Sequence, residues 1–95
     1  MIERHITFNV HPDKTATFER FFAEIYRPKM SASPGFIRAD LLREAGSRTR
    51  YQMVLRWRDT ESATGWRTSP VHETLQPEWT AMYSGHEIAV YDVIC

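Results

Sequence analysis

Residues 2–10, Ile-Glu-Arg-His-Ile-Thr-Phe-Asn-Val, and the helical pattern that follows them decide the fold predicted for this 95-residue chain. Along residues 2–10 the side chains alternate between two faces. One face carries Ile2, Arg4, Ile6, Phe8 and Val10, and the other carries Glu3, His5, Thr7 and Asn9. A period of two residues predicts a β-strand with one buried face.

The segment after this strand has the spacing of a helix. Pro12 and Asp13 suit a first helical turn, because Pro lacks only a donor that is unpaired there and Asp favours the positive end of the helix dipole. Apolar residues then recur at helical spacing at Phe18, Phe21, Phe22, Ile25 and Tyr26. We expect about four turns, ending near Arg27-Pro28 or fraying by residues 31–33.

The remainder of the chain predicts three more strands and further helix. Residues 36–44 and 49–58 are expected to form an antiparallel hairpin around the polar turn 46–48. Asp59-Thr60 suits the cap of a short helix that carries Ala63 and Trp66. Ser69-Pro70 suits the start of the next helix, which Pro77 is expected to kink or end, leaving residues 79–83 irregular. Residues 87–94 close the chain as a strand.

This order, βαββαβ, predicts an α+β fold. The expected architecture is a ferredoxin-like sandwich with a four-stranded antiparallel sheet and its helices on one face. Residues 1–95 are expected to form a single domain, since one core typically serves about 100–150 residues.

The apolar residues of two strands predict an interaction between copies. The last strand carries Ile88, Val90 and Ile94 on one side and Ala89, Tyr91 and Val93 on the other, and in residues 36–42 Ile37, Ala39 and Leu41 stand opposite Phe36 and Leu42. Helices can cover only one side of the sheet, and an open apolar face is an interaction surface. We therefore expect a homodimer joined sheet to sheet.

The amino-acid composition limits the kinds of partner that we expect the protein to bind and the compartment in which we expect it. Twelve Lys and Arg balance twelve Asp and Glu, so the chain has no surplus positive charge for nucleic-acid phosphates. No window approaches the roughly 20 apolar residues of a membrane span, and we expect a cytoplasmic protein that binds neither nucleic acid nor membrane. The single cysteine, Cys95, cannot form an internal bridge.

Motifs for metals and nucleotides are absent from the sequence. The four histidines are far apart with no i, i+4 pair, there are only four glycines and no glycine-rich phosphate loop, and no Gly-x-Ser-x-Gly turn occurs. We expect no metal and no cofactor.

His72 is the first candidate for chemistry, because imidazole can accept a proton from a phenol or quinol near neutral pH. Its place near the start of a helix predicts a lowered pKa. It could instead cap the helix or anchor a dimer.

His5 and Asn9 could bind a substrate oxygen if their face of the first strand lines a pocket, and are structural if that face is solvated or meets a partner.

Aromatic side chains are the main candidates for binding. Stacking and exclusion of water could make a flat cavity for an aromatic ligand, lined by Phe22, Tyr26, Trp57, Trp66 and Trp79. The aromatic residues on the first helix could instead be part of the hydrophobic core.

Three short motifs resemble the antibiotic biosynthesis monooxygenase (ABM) family. They are Pro34-Gly35-Phe36, the run Trp57-Arg58-Asp59-Thr60-Glu61-Ser62-Ala63, and the run Trp66-Arg67-Thr68-Ser69-Pro70-Val71-His72. The resemblance implies a ferredoxin-like protomer, a dimeric α/β barrel and a pocket between each sheet and its own helices. The family includes cofactor-independent oxygenases, haem-degrading enzymes and isomerases, so the fold alone does not decide the chemistry.

The haem-degrading branch fits poorly. It uses an Asn on the first strand, a Trp on the second helix and a His about ten residues later. Trp66 fits the Trp, but the position ten residues on is Gln76, and Arg4 or His5 stands near the Asn position.

The resulting hypothesis is a cofactor-independent monooxygenase-like protein that acts on a small aromatic or quinol-type substrate with O2. His72 and Trp66 are the expected catalytic residues, and the expected substrate-binding residues are His5, Asn9, Phe22, Tyr26, Trp57 and Trp79. The main alternative is a non-catalytic ligand-binding or stress-responsive protein with the same barrel, whose sign would be a pocket filled by its own side chains or lacking a base. An isomerase or lyase is a third.

Overall fold

A computed structural model describes residues 1–95. Four strands form one antiparallel sheet in the order β2-β3-β1-β4: β1 (Ile2–Val10), β2 (Phe36–Arg43), β3 (Arg50–Trp57) and β4 (Tyr83–Asp92). Together with the helices between them, this order confirms the predicted ferredoxin-like α+β fold.

The first helical region is continuous from Pro12 to Ser31 but changes its geometry twice. A 3-10 turn (Pro12–Lys14) leads into α1 (Thr15–Phe21), a π-helical segment (Phe22–Tyr26) and α2 (Arg27–Ser31). Pro28 explains the wider turn, because its ring would clash with the carbonyl four residues earlier in a regular helix. The backbone N–H of Arg27 bonds instead to the carbonyl of Phe22.

The second helical region consists of α3 (Thr60–Arg67) and α4 (Pro70–Thr80). Both predicted caps are present. The Asp59 carboxylate accepts a hydrogen bond from the Ser62 backbone N–H at 2.8 Å, and the Ser69 hydroxyl accepts one from the His72 N–H at 3.1 Å. Each cap satisfies a helical donor that would otherwise lack a partner.

The core lies between the sheet and the helices. The predicted faces of β1 and β3 are correct: Ile2, Ile6, Phe8 and Val10 are buried with Tyr51, Met53, Leu55 and Trp57. The apolar stripe of the first helical region packs on them, with Phe18, Phe21, Phe22 and Tyr26 buried.

Two local predictions are wrong. Pro77 does not end α4, which continues to Thr80, because Leu75 and Trp79 on either side of it are both buried. The ring of Trp79 stacks on Phe18 at 4.3 Å and on Tyr26 at 4.6 Å between centroids, contacts that offset the lost backbone hydrogen bond. The last strand begins at Tyr83 rather than residue 87, because it pairs with β1 along almost its whole length.

The prediction for the face of the sheet away from the helices also needs correction. A register shift near Ile37 turns Phe36 toward the helices, where its ring lies 5.6 Å from that of Trp57. The outward positions of β1 and β3 are mostly polar, and Glu3 pairs there with Arg56 at 2.7 Å and His5 at 2.8 Å. This face is therefore less apolar than the sequence pattern indicated.

No helix in the structure is both long enough and apolar enough to span a bilayer.

Candidate functional site

A cavity of about 240 Å³ lies between the sheet and its helical cover. Its floor is formed by the helix-facing side chains of β1, β3 and β4, and its walls by the first helical region, α3 and α4. Nine of its fifteen lining residues are hydrophobic, which fits a site for a mostly apolar ligand. The lining residues are Arg4, Ile6, Phe8, Tyr26, Met53, Leu55, Trp66, Arg67, His72, Gln76, Trp79, Thr80, Tyr83, His86 and Ile88.

A second depression of about 340 Å³ lies at the end of the β2–β3 hairpin. Only two of its seven lining residues are hydrophobic, and Arg43, Glu44 and Arg50 dominate it. It has no histidine, so the cavity under the helices is the stronger candidate site.

One hydroxyl group fixes the relative positions of Trp66 and His72. The Ser69 Oγ donates to the Trp66 carbonyl at 2.7 Å, at the end of α3, and accepts from the His72 N–H at 3.1 Å, in the first turn of α4. The rings of Trp66 and His72 meet edge to face, with centroids 5.3 Å apart. The Ser69-Pro70 start predicted from sequence therefore brings both candidate catalytic side chains into the cavity.

The His72 imidazole is held in its neutral form. Burial lowers its pKa below the usual value, and the positive charges of Arg4 and Arg67 lower it further. The predicted direction is correct, although burial and two guanidinium groups are the main causes. Gln76 Nε2 lies 3.1 Å from His72 Nε2, and because an amide nitrogen only donates, the imidazole Nε2 accepts. This nitrogen can act as a base once a substrate hydroxyl displaces the Gln76 amide from its lone pair.

Aromatic rings form the deep wall of the cavity. Tyr26 stacks on Trp79 at 4.6 Å and meets Trp66 edge to face at 5.8 Å. Burial raises the pKa of Tyr26 to about 12 and also raises that of Tyr83. Both phenols therefore remain protonated near neutral pH and can donate hydrogen bonds.

Two polar atoms in the cavity lining lack a well-formed hydrogen bond within the protein, although the Trp66 indole lies near enough to the Tyr26 hydroxyl to oppose the rise in its pKa. Only three buried side-chain nitrogen or oxygen atoms in the structure lack a hydrogen bond, and two of them, Trp66 Nε1 and Gln76 Oε1, belong to lining residues. Buried polar groups are normally paired, so each such exception calls for an explanation. A bound molecule with one acceptor and one donor would satisfy both.

Of the eight predicted site residues, four lie together in this cavity: Tyr26, Trp66, His72 and Trp79. Phe22 and Trp57 are buried in the core and do not line it. His5 and Asn9 lie on the opposite face of the sheet, where His5 bonds to Glu3 and Asn9 accepts from Arg50 at 3.2 Å.

The residues that the sequence analysis did not select are Arg4, Arg67, Gln76 and His86. Arg4 had a signal, since it is the one charged residue in the apolar alternation of residues 2–10. Gln76 is one helical turn beyond His72, a spacing that places both on one face of α4. His86 lies one residue before the predicted start of the last strand, in a part of β4 (Tyr83–Asp92) that the sequence did not assign to an element.

No group of three or more His, Cys, Asp or Glu side chains is arranged to hold a metal ion.

Comparison with known proteins was made at the level of sequence and of fold. The sequence profile of the family Antibiotic biosynthesis monooxygenase (ABM) matches residues 1–78. A search of curated proteins finds no significant match.

Solved structures share the fold over the whole chain. SnoaB, a cofactor-independent oxygenase from Streptomyces nogalater, is 24% identical with a TM-score of 0.86, covering 99% of this chain and 93% of its own. A protein of Nitrosomonas europaea assigned to the antibiotic biosynthesis monooxygenases is 18% identical with a TM-score of 0.87 and full coverage of both chains. One from Bordetella bronchiseptica is 19% identical, with a TM-score of 0.87 and coverage of 99% and 97%.

Proposed function

Because the chain belongs to the antibiotic biosynthesis monooxygenase family, we propose that it is a cofactor-independent monooxygenase that oxidises a small quinol-type aromatic substrate with O2. The observation that carries the proposal is the neutral imidazole of His72 inside an aromatic cavity. A cavity that is open and contains a base is the opposite of what the non-catalytic alternative predicts.

The size of the cavity limits the substrate. About 240 Å³ is below the range of about 300–1,000 Å³ of pockets for drug-sized ligands. We therefore propose a quinol of one or two rings, stacked among Tyr26, Trp66 and Trp79. A substrate hydroxyl would donate to Gln76 Oε1, and a substrate oxygen would accept from Trp66 Nε1.

The proposed reaction begins with proton transfer. The reacting hydroxyl displaces the Gln76 amide from His72 Nε2, and this nitrogen then removes the hydroxyl proton. The resulting anion is rich enough in electrons to pass one electron to O2. Recombination of the substrate radical with superoxide forms a carbon–oxygen bond, and the imidazolium returns its proton to give a hydroperoxide. Loss of water from the H–C–O–O–H unit leaves a carbonyl, so one oxygen atom enters the product and the other leaves as water. The protein supplies orientation, a base and a dry environment.

Menadiol, a two-ring quinol, tests this reaction. Under 18O2 the expected product is a hydroxylated naphthoquinone that carries one labelled oxygen, measured by mass spectrometry above the rate without protein. Anaerobic incubation should give none. Formation of only menadione and hydrogen peroxide would contradict the proposal, because that outcome is simple autoxidation. Anthrone, with three rings, should react more slowly if cavity size limits the substrate.

The role of His72 requires a variant with a matched control. His72→Ala should lower kcat/KM by about a hundredfold or more, the usual contribution of a general base. His11→Ala removes a histidine outside the cavity and should leave the rate unchanged. If His86→Ala abolishes turnover and His72→Ala does not, the base is His86, the other imidazole that lines the cavity.

We further propose that the chain works as a homodimer joined sheet to sheet. The apolar side chains exposed on the face away from the helices, Tyr91 of β4 and Leu42 of β2, support such an interface. Sedimentation at micromolar concentration should report twice the 11.2 kDa protomer mass. A stable 11.2 kDa particle would contradict the dimer.

A further inference from the structure

The Arg4 side chain lines the cavity without a counterion, and its guanidinium nitrogens are accessible from the cavity, since they are not among the buried atoms that lack a hydrogen bond. Arg4 is 9% exposed, and it lies on the helix-facing side of β1, opposite Leu55 of β3 and Val90 of β4. It forms no hydrogen bond or salt bridge with another side chain, and burial and the neighbouring charge of Arg67 lower its pKa.

The chain offers nothing to neutralise this charge. The cavity lining includes Arg4 and Arg67 but no aspartate or glutamate. The adjacent carboxylate, Glu3, points to the other face of the sheet and is bound by Arg56 and His5. A guanidinium in a mostly apolar cavity is largely removed from solvent, and without an anionic partner it is less favourable than a paired one.

We propose that Arg4 binds the carboxylate of an anionic aromatic substrate, which enters this cavity with its ring among Trp66 and Trp79. The inference rests on the proposed function only in that it places the substrate in the same cavity. The guanidinium presents a planar fork of N–H donors that matches the two oxygens of a carboxylate. The exposed Arg67 lies near the rim and would attract the same charge from solution.

The arrangement would also orient the substrate toward the base. With the carboxylate on Arg4 on the floor of the cavity, the ring extends toward α4, where His72 and Gln76 line the wall. The bound anion would partly cancel the positive charges that act on His72, so its imidazole would become more basic once the substrate is present.

Two ligands of the same shape separate the contribution of the carboxylate charge from that of the aromatic rings. 2-Naphthoate and 2-naphthamide have the same two rings and differ in the carboxylate, and their binding can be followed by quenching of tryptophan fluorescence or by calorimetry. We expect the chain to bind naphthoate about tenfold or more tightly than the amide, as a hydrogen-bonded charge pair would provide.

Variants assign the preference to Arg4. Arg4→Met should lose most of the preference for naphthoate, leaving only the weak attraction of the exposed Arg67. Arg4→Lys should retain more of the preference because it keeps the charge but loses the fork. Arg20→Met removes an exposed arginine on α1 outside the cavity and should behave like the parent. Arg4→Met should fold, with a melting temperature equal to or above that of the parent, since it replaces a buried charge by an apolar chain of similar length.

Equal affinities of the parent for the two ligands would overturn the inference. So would a preference for naphthoate that Arg4→Met retains undiminished, or no binding of naphthoate at millimolar concentration. None of these measurements requires O2 or turnover. A chain that binds naphthoate through Arg4 but fails to oxidise menadiol would therefore contradict the oxygenase proposal and leave the carboxylate site intact.

Discussion

Gln76 Nε2 lies 3.1 Å from His72 Nε2, one helical turn away along α4. The amide can only donate from this nitrogen, so the contact selects the imidazole form whose Nε2 carries no proton. Burial and the charges of Arg4 and Arg67 favour the same form. Gln76 is thus a positioning residue that selects the imidazole form with an unprotonated Nε2, and a substrate hydroxyl must displace its amide before that nitrogen accepts a proton.

The variant Gln76→Glu should reverse this effect. A carboxylate at the same place accepts a hydrogen bond from protonated Nε2 and attracts its charge, so the pKa of His72 should rise by about one pH unit. The acidic limb of the kcat/KM profile should move to higher pH by the same amount, and NMR titration of the His72 ring checks the assignment directly.

Thr74→Glu is the matched control, because it adds the same charge on the exposed side of α4. It should leave the His72 titration within about 0.2 of the parent value, since a solvated charge is strongly screened. A similar shift in both variants would mean that long-range charge, and not the contact with Gln76, sets the pKa.

The lowered pKa of His72 also predicts a pH dependence of stability. The unfolded chain takes up a proton near pH 6.5, whereas the folded chain resists protonation until lower pH. Unfolding therefore binds a proton in the window between these values, and the free energy of unfolding falls as pH decreases through it.

Urea unfolding at pH 7.5 and pH 5.5 measures this linkage. The parent should lose more stability between the two pH values than His72→Asn, which lacks the titrating group. Identical losses would show that His72 has the same pKa in both states.

The sequence predicted the fold because local signals agree with tertiary structure over most of the chain. The alternation of residues 2–10 assigns the buried face of β1, and the caps at Asp59 and Ser69 give the starts of α3 and α4. Where the predictions were wrong, a long-range contact overrides a local preference. Burial of Trp79 keeps α4 intact past Pro77, and pairing with β1 extends β4 through Gly85, whose φ of 75° is typical of turns.

The site could be predicted only in part for the same reason. Trp66 and His72 are close because the chain between them is short and Ser69 bonds to both ends. Arg4 and His72 are far apart in the sequence. They line the same cavity only because α4 packs over β1. The alternation of residues 2–10 predicts that Arg4 lies on the buried face of the strand. The sequence does not show that this face borders a cavity that contains no carboxylate, because that depends on how the sheet and the helices pack together.

Gly35, from the Pro34-Gly35-Phe36 motif, allows a test of the turn that leads into β2. Its φ is 82°, and an added Cβ would overlap the Ser62 side chain at the start of α3. Gly35→Ala should therefore lower the free energy of unfolding by about 2 kcal/mol or more, through backbone strain and the steric clash.

At Gly65, in contrast, we expect substitution by alanine to stabilise the protein. This glycine lies inside α3 with open space where a Cβ would be, and Gly65→Ala should raise the free energy of unfolding by about 0.5–1 kcal/mol. Chemical denaturation measures both. A neutral Gly35→Ala would show that the turn relaxes freely and is not fixed by contact with α3.

Trp57 and Trp66 permit a matched test of the unpaired indole N–H. Both have a buried Nε1 without a hydrogen bond, but only Trp66 lines the cavity. Replacing each by Phe removes that donor and keeps an aromatic ring. If the Trp66 N–H binds a substrate oxygen, Trp66→Phe should lower kcat/KM for menadiol about tenfold, the value of one lost hydrogen bond, while Trp57→Phe leaves it unchanged. Comparable stability of the two variants in urea would exclude a folding defect as the cause, and equal activity of both would return Trp66 to a purely packing role.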